Sequence, residues 1–188
     1  MMWNRKVCRT FRLLVVAFLT SFPLIVWAKV AETSLKELAT RSDLIVLAKV
    51  SKVEDGPADI KTEDDRVFPR VKVATARVVE TWKGTPGPEV RYVASSLWTC
   101  DISDAEEGEQ VVLFLETRKD SPIMTIAHSG RGRMPLREVK GKNHATIWSD
   151  DVQLPKGTVT IPGPEPKYSF VRSIELSILK ALVRESSR

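Results

Sequence analysis

Apolar residues fall along this chain in short runs separated by turn-forming clusters, and two periodicities divide the runs between strands and helices. Leu44 to Val53 is dense in Val, Leu and Ile and predicts a strand buried on both faces for part of its length. Val67 to Trp82 predicts a long strand that changes phase: Val71 and Val73 share one face, whereas Ala74, Ala76, Val78 and Trp82 share the other. A bulge produces such a shift and lets one strand serve two sheets, as in the closing of a small barrel. After a turn from Lys83 to Pro88, Glu89 to Ala94 alternates, with Val90 and Tyr92 on one side. In Gln110 to Thr117, Val111, Leu113 and Leu115 oppose Val112 and Phe114. Ile123 to Ala127, Met134 to Val139 and His144 to Trp148 follow, the last two flanking the hairpin signal Lys140-Gly141-Lys142-Asn143. The pattern predicts antiparallel β-structure throughout.

Helical spacing occurs at the two ends of this β-region. Ser34 with Glu37 makes a capping box ahead of the apolar face of Leu35, Leu38 and Ala39, which predicts a short helix. Val171, Ile174, Ile178, Ala181 and Leu182 predict an amphipathic C-terminal helix over residues 169–185. Between them, Asp150 to Lys167 is an irregular connector rich in Pro and Gly, broken by a short strand at Thr158 to Ile161. Glu54 to Arg66 is a polar, acidic loop without the ligand spacing of a calcium-binding loop. The sum is a mainly β protein: a five-stranded OB-like antiparallel barrel with a short N-terminal helix and an amphipathic C-terminal helix.

The first 28 residues have a different character. Arg5, Lys6, Arg9 and Arg12 lead into the apolar stretch Leu13 to Ala28, which ends in Val26-Trp27-Ala28, a site of the kind signal peptidase reads. The stretch holds Pro23 and is roughly 16 residues long, short of the ~20 that a spanning helix needs. Residues 1–28 are therefore expected to be a signal peptide, and residues 29–188 a single exported domain, periplasmic or secreted. Contact with the membrane is expected only if the signal is retained.

Removing that segment changes the charge. Of 29 basic and 24 acidic residues, four basic ones lie in the signal, leaving 25 against 24. A nearly neutral domain is not expected to bind nucleic acid. It retains one cysteine, Cys100, so no intrachain disulfide is expected and the fold must rest on packing. His128 and His144 have no third ligand at useful spacing, so neither a metal nor a cofactor is expected.

Three runs carry a family resemblance: Ser42-Asp43-Leu44-Ile45-Val46-Leu47-Ala48-Lys49-Val50, Ala76-Arg77-Val78-Val79-Glu80-Thr81-Trp82-Lys83-Gly84, and Gly108-Glu109-Gln110-Val111-Val112-Leu113-Phe114-Leu115, with Cys100 before the last. They resemble exported bacterial OB-fold proteins related to the tissue inhibitors of metalloproteinases and netrin modules, over about Ser42 to Gly132. Inhibitors of that superfamily reach a protease zinc with a disulfide-held N-terminal cysteine. Here the expected mature start is Lys29 with no cysteine nearby, so the resemblance implies the fold and not that mode of inhibition.

Two further chemistries are open in the sequence. Leu97-Trp98-Thr99-Cys100 looks like the cysteine strand of sortase transpeptidases, with His128 as base and Arg131 or Arg133 as the arginine, but both histidines follow the cysteine, the reverse of the sortase order. A thiol-dependent enzyme centred on Cys100 is the alternative this leaves; a buried, inert cysteine and an intermolecular disulfide partner are the other readings. Arg131 and Arg133, joined by Arg137, could instead face a polyanion together, or mark an ordinary charged edge strand. The leading expectation is a non-enzymatic binding module that contacts an envelope protein or peptide through Trp98 and the glycine loop Ser129, Gly130, Arg131, Gly132 and Arg133.

Overall fold

The computed structural model describes residues 31–57, 71–95, 101–163 and 170–186. The expected signal segment, Trp98 and Cys100 lie outside the described residues. No helix among the described residues is long and apolar enough to cross a membrane.

Strand β1 (Thr33–Ser34) runs directly into helix α1 (Leu35–Arg41), where Ser34 and Glu37 form the reciprocal capping box expected from their spacing. The helix buries Leu35, Leu38 and Ala39, the face the sequence marks as apolar. Five strands follow: β2 (Leu44–Asp55), β3 (Lys72–Lys83), β4 (Glu89–Val93), β5 (Gln110–Arg118) and β6 (Ser121–Ile126). Their pairings run β5-β2-β3-β4-β6, and β6 also pairs with β5, so the order returns to its starting strand. Four more strands follow: β7 (Arg133–Val139), β8 (Lys142–Ile147), β9 (Val152–Gln153) and β10 (Val159–Pro162). Strand β11 (Phe170–Glu175) then leads into helix α2 (Leu176–Ser186).

Alternation along β2 and β5 decides where the core sits. Leu44, Val46, Ala48 and Val50 of β2 join Val111, Leu113 and Leu115 of β5, Ala74 and Ala76 of β3, and Val90 and Tyr92 of β4 in one cluster inside the returning pairing. The opposite faces send Ile45, Val112 and Phe114 outward, where α1, α2, β7, β8 and β11 cover them. Both strands are thus buried on two faces, which is why they read as nearly continuous apolar runs. The shift in β3 lies later than the sequence places it, and Trp82 does not share the face of Ala74 and Ala76. Pairing with β2 passes over Val79 and again over Trp82, so Trp82 turns into the outer cluster while Ala74 and Ala76 face the inner one.

Three expectations are corrected. Among the described residues the main sheet has nine strands, not five, with a separate two-stranded pair β1–β9, because the chain beyond residue 127 adds β7, β8, β11 and β10 to the outer edge of β5. Pairing is not antiparallel throughout: β4–β6 and β1–β9 are parallel. Residues 169–185 are not one helix. Strand β11 lies between β8 and β10, and only from Leu176 does the chain turn helical. Val171 and Ile174, three apart, satisfy a helical spacing, but as β-branched residues they also suit a strand with partners on both sides.

Candidate functional site

The glycine loop joins the two parts of the sheet. Strand β6 occupies the edge of β5 from Leu115 to Arg118, and β7 occupies the same edge from Val111 to Leu113. Between them the chain leaves at Ala127 and returns at Gly132, bonding Phe114 from both sides: Ala127 N–H donates to Phe114 O and Phe114 N–H to Gly132 O, each at 2.9 Å. The intervening reversal uses three successive left-handed residues, His128, Ser129 and Gly130, at φ 52°, 53° and 85°. Gly130 has no room for a side chain, since a Cβ there would lie 2.5 Å from the carbonyl carbon of Ile102 and 2.6 Å from the nitrogen of Ser103. At Gly132 it would lie 2.8 Å from the carbonyl oxygen of Phe114. These glycines serve a strand exchange.

The arginines of this loop turn inward. Arg131, 6% exposed, donates to Asp151 Oδ2 at 2.7 Å and to the Ser129 carbonyl at 3.0 Å. Arg133 grips Glu109 with two bonds, Nε to Oε1 at 3.2 Å and Nη2 to Oε2 at 2.5 Å. Arg137 donates to Pro162 O, and Lys142 pairs with Glu175. The basic stretch is thus spent on internal partners rather than gathered on one open face. The Nε2 of His128 sits 2.7 Å from Ala31 O, while His144 is buried in β8 with Nδ1 3.3 Å from Ser173 Oγ. Ser173 is itself wholly buried, so this hydroxyl and imidazole cannot meet a substrate. Among the described residues no three His, Cys, Asp or Glu side chains cluster as metal ligands would.

Tyr92 extends from β4 into the inner cluster, and its hydroxyl has no hydrogen-bond partner among the described residues. Burial, reinforced by the charge of Glu109, pushes its phenol well above the ordinary range. Because an unsatisfied buried hydroxyl costs desolvation without return, Tyr92→Phe is expected to stabilise the protein by about 1 kcal/mol. A shift of the urea midpoint to higher concentration checks this, and a lower midpoint would refute it.

A groove lies at the other end of β6, away from the glycine loop. It is an open cleft of about 520 Å³, lined by residues of four strands and the β3–β4 turn. Leu44, Val90 and Met124 form apolar lining, Pro86 and Pro122 flank it, and Asp43, Glu89 and Arg91 bring charge. Gly84, at φ 80°, lets the turn close over the start of β2, where a Cβ would meet Asp43 O at 2.6 Å. The Thr117 hydroxyl and N–H donate to Asp43 Oδ2 at 2.6 and 2.7 Å.

Those two bonds, the hydroxyl's first, hold the Asp43 carboxyl below its usual value of 3.8, and the charge of Lys83 adds to the effect. A depressed folded-state value means that the stabilisation is present above the ordinary aspartate range. It is lost as pH falls through the folded value. Thr117→Val is expected to return the carboxyl toward 3.8, read by NMR titration of the Asp43 side chain; an unchanged titration would sink that assignment.

Sequence reading missed this groove. Asp43, Glu89, Thr117 and Pro122 are far apart in the chain, and no local pattern joins them; the turn signal at Gly84, Pro86 and Gly87 is the one trace it leaves. The chain matches no protein-family model and no curated protein.

Proposed function

We propose that this protein is an exported, non-enzymatic binding module of the cell envelope, built on an OB-type barrel of β2 to β6, which contacts an envelope protein or peptide through the groove beside the β3–β4 turn. The barrel reading is supported by the return of the pairing order to β5 and by a parallel closure between its third and fifth strands, β4 and β6. Export is supported by the basic and apolar start of the sequence. The observation that carries the binding surface is the groove itself, an apolar cleft with charged residues at hand, the composition of a recognition site.

The inward pairing of Arg131 and Arg133 moves the contact surface away from the glycine loop and weighs against a polyanion site there. A thiol enzyme at Cys100 is the rival class. Fast labelling of that thiol in the native protein, with a depressed pKa, would favour it.

A photo-crosslinking residue at Thr85, on the groove, tests the reading in the native envelope, with one at exposed Asn143 in the β7–β8 hairpin as control. A discrete adduct from Thr85 and not from Asn143 is expected. Equal labelling from both positions, or none from Thr85, would remove the groove as the contact surface. N-terminal sequencing of the exported protein is expected to begin at Lys29.

A further inference from the structure

Among the described residues three large apolar side chains are exposed, Val79, Val159 and Ile178. Two of them flank helix α2. Val79, 59% exposed, is the extra residue of a β3 bulge, passed over between the register pairs Ala48 with Val78 and Leu47 with Glu80. The next residue, Glu80, reaches the helix, where its Oε1 pairs with Lys180 Nζ and lies 3.9 Å from Arg184 Nη2. On the other flank Ile178 is 38% exposed, and its Cδ1 would lie 4.0 Å from a Cβ at Gly157. Leu179 and Val183 form the buried stripe between these flanks, while Ala181 is exposed on the outward side. Val159 belongs elsewhere. Paired with Ser173, it lies on the sheet face opposite Ile174, which packs with Leu179 and Val183.

Cations gather on the same side in excess of carboxylates. Lys49 and Arg77 are direct cross-strand partners on the outer surface of β2 and β3, and both are exposed. Neither forms an ion pair among the described residues. Like charges placed directly opposite repel, so the fold gains nothing from this pair. Lys180 and Arg184 share the single carboxylate of Glu80, and Lys156 is exposed beside Gly157. Against these five cations stand three carboxylates, Glu80, Glu185 at the end of α2, and Glu89 in register with Arg77, which leaves the surface at +2.

A bilayer surface matches both properties. Anionic headgroups take the lysines and arginines, and the acyl boundary just below them takes Val79 and Ile178, for which a soluble polyanion has no counterpart. The long stems of Lys and Arg span the two zones.

We infer that the face formed by α2 and the adjoining outer surface of β2 and β3 docks on an anionic lipid bilayer, with Lys49, Arg77, Lys180 and Arg184 at the headgroups and Val79 and Ile178 at the acyl boundary. The sequence alone predicts membrane contact only through a retained signal; this face supplies it after the signal is removed. It shares only Glu89 with the groove, so the two surfaces are separable by experiment.

Co-sedimentation of the exported chain with vesicles tests this, using phosphatidylglycerol and phosphatidylcholine in equal parts beside phosphatidylcholine alone. Binding to the anionic vesicles is expected to be at least about tenfold tighter than to the neutral ones and to weaken with salt. Lys49→Gln is expected to weaken it by about fivefold and to leave the urea midpoint unchanged or raised, since it relieves the repulsion with Arg77. Val79→Ser combined with Ile178→Ser is expected to weaken it by about tenfold. Lys119→Gln, which removes an equal charge from the β5–β6 turn, is expected to leave it unchanged. Equal binding to neutral vesicles, no binding at about 1 mM lipid, or equal losses from Lys49→Gln and Lys119→Gln would overturn the inference. Two further results overturn it by reassigning the face. If the apolar double variant binds vesicles as well as the parent does, the surface takes polyanions in general; if the parent self-associates without lipid and the double variant does not, the face belongs to a second copy. The groove is decided separately: a Thr85 crosslink without vesicle binding keeps the groove and removes the bilayer contact, and vesicle binding without that crosslink does the reverse.

Discussion

Gly130→Ala is expected to destabilise the protein by on the order of 3 kcal/mol, the sum of a left-handed backbone penalty and a forced overlap. The backbone term comes from φ 85°, which a residue with a Cβ adopts at a cost. The overlap comes from Ile102 and Ser103, whose main-chain atoms lie 2.5 and 2.6 Å from the site of the new carbon. Neither neighbour is free to retreat. Ser103 is anchored by its N–H and hydroxyl to Asp101 Oδ1 at 3.0 and 2.5 Å, and the Ile102 N–H is tied to Ser129 O at 3.3 Å.

Gly141→Ala isolates the first term, because Gly141 has φ 76° with nothing within 4 Å of its added carbon. It is expected to cost about 1 kcal/mol. Urea unfolding of the two variants compares them directly. If Gly130→Ala costs no more than Gly141→Ala, the packing of the loop against residues 102–103 is not what requires glycine.

Arg131→Met should have an effect of similar size, about 3 kcal/mol, because it leaves the Asp151 carboxylate buried without its cation. The pair is shielded on both sides, with Arg131 6% and Asp151 14% exposed, so solvent does little to replace the lost partner. Arg131 also holds the Ser129 carbonyl inside the left-handed turn, and the Asp151 carbonyl accepts from Thr33 N–H at 2.8 Å. One guanidinium therefore links the loop to the β1–β9 pair. Arg131→Lys is expected to recover only part of the loss, since a single ammonium lacks the planar fork that reaches both acceptors.

A double-mutant cycle with Asp151→Asn measures the coupling, and faster hydrogen exchange at Thr33 N–H follows if the link is as described. A loss below about 0.5 kcal/mol would mean the pair is as weak as an exposed one. The same variant bears on function. If Arg131 serves the fold, the contact proposed at the groove survives its replacement wherever the protein remains folded.

Legibility followed the range of the interaction. The capping box of α1 was readable because Ser34 and Glu37 contact each other within one turn, and the β7–β8 hairpin because Lys140 and Gly141 provide the left-handed turn themselves. The bulges of β3 were not placed by the sequence, because Trp82 keeps the even spacing of Ala74 and Ala76 and only the pairing with β2, which passes over Val79 and Trp82, turns it to the other cluster. Val171 to Glu175 was misread because Val171 and Ile174 have a helical spacing, whereas the strand, with β8 and β10 on either side, buries them on opposite faces. The inward turn of the loop arginines was not legible because the loop's composition shows glycines and arginines but not Asp151, Glu109 or the backbone of Ile102.

By itself the sequence determined the extended runs of β2, β4 and β5, the turns between strands and the apolar face of the first helix, since φ/ψ preference and side-chain periodicity belong to neighbouring residues. It also carried, in Leu44 to Val50 and Val111 to Leu115, the mark of strands buried on both faces. Only the tertiary structure decided that β6 and β7 share one edge of β5, that the loop between them turns its arginines inward, and that the β3–β4 turn, β4 and β6 border one groove. Those outcomes depend on residues brought together from distant parts of the chain, where partner choice is set by the burial and main-chain bonding of the whole sheet.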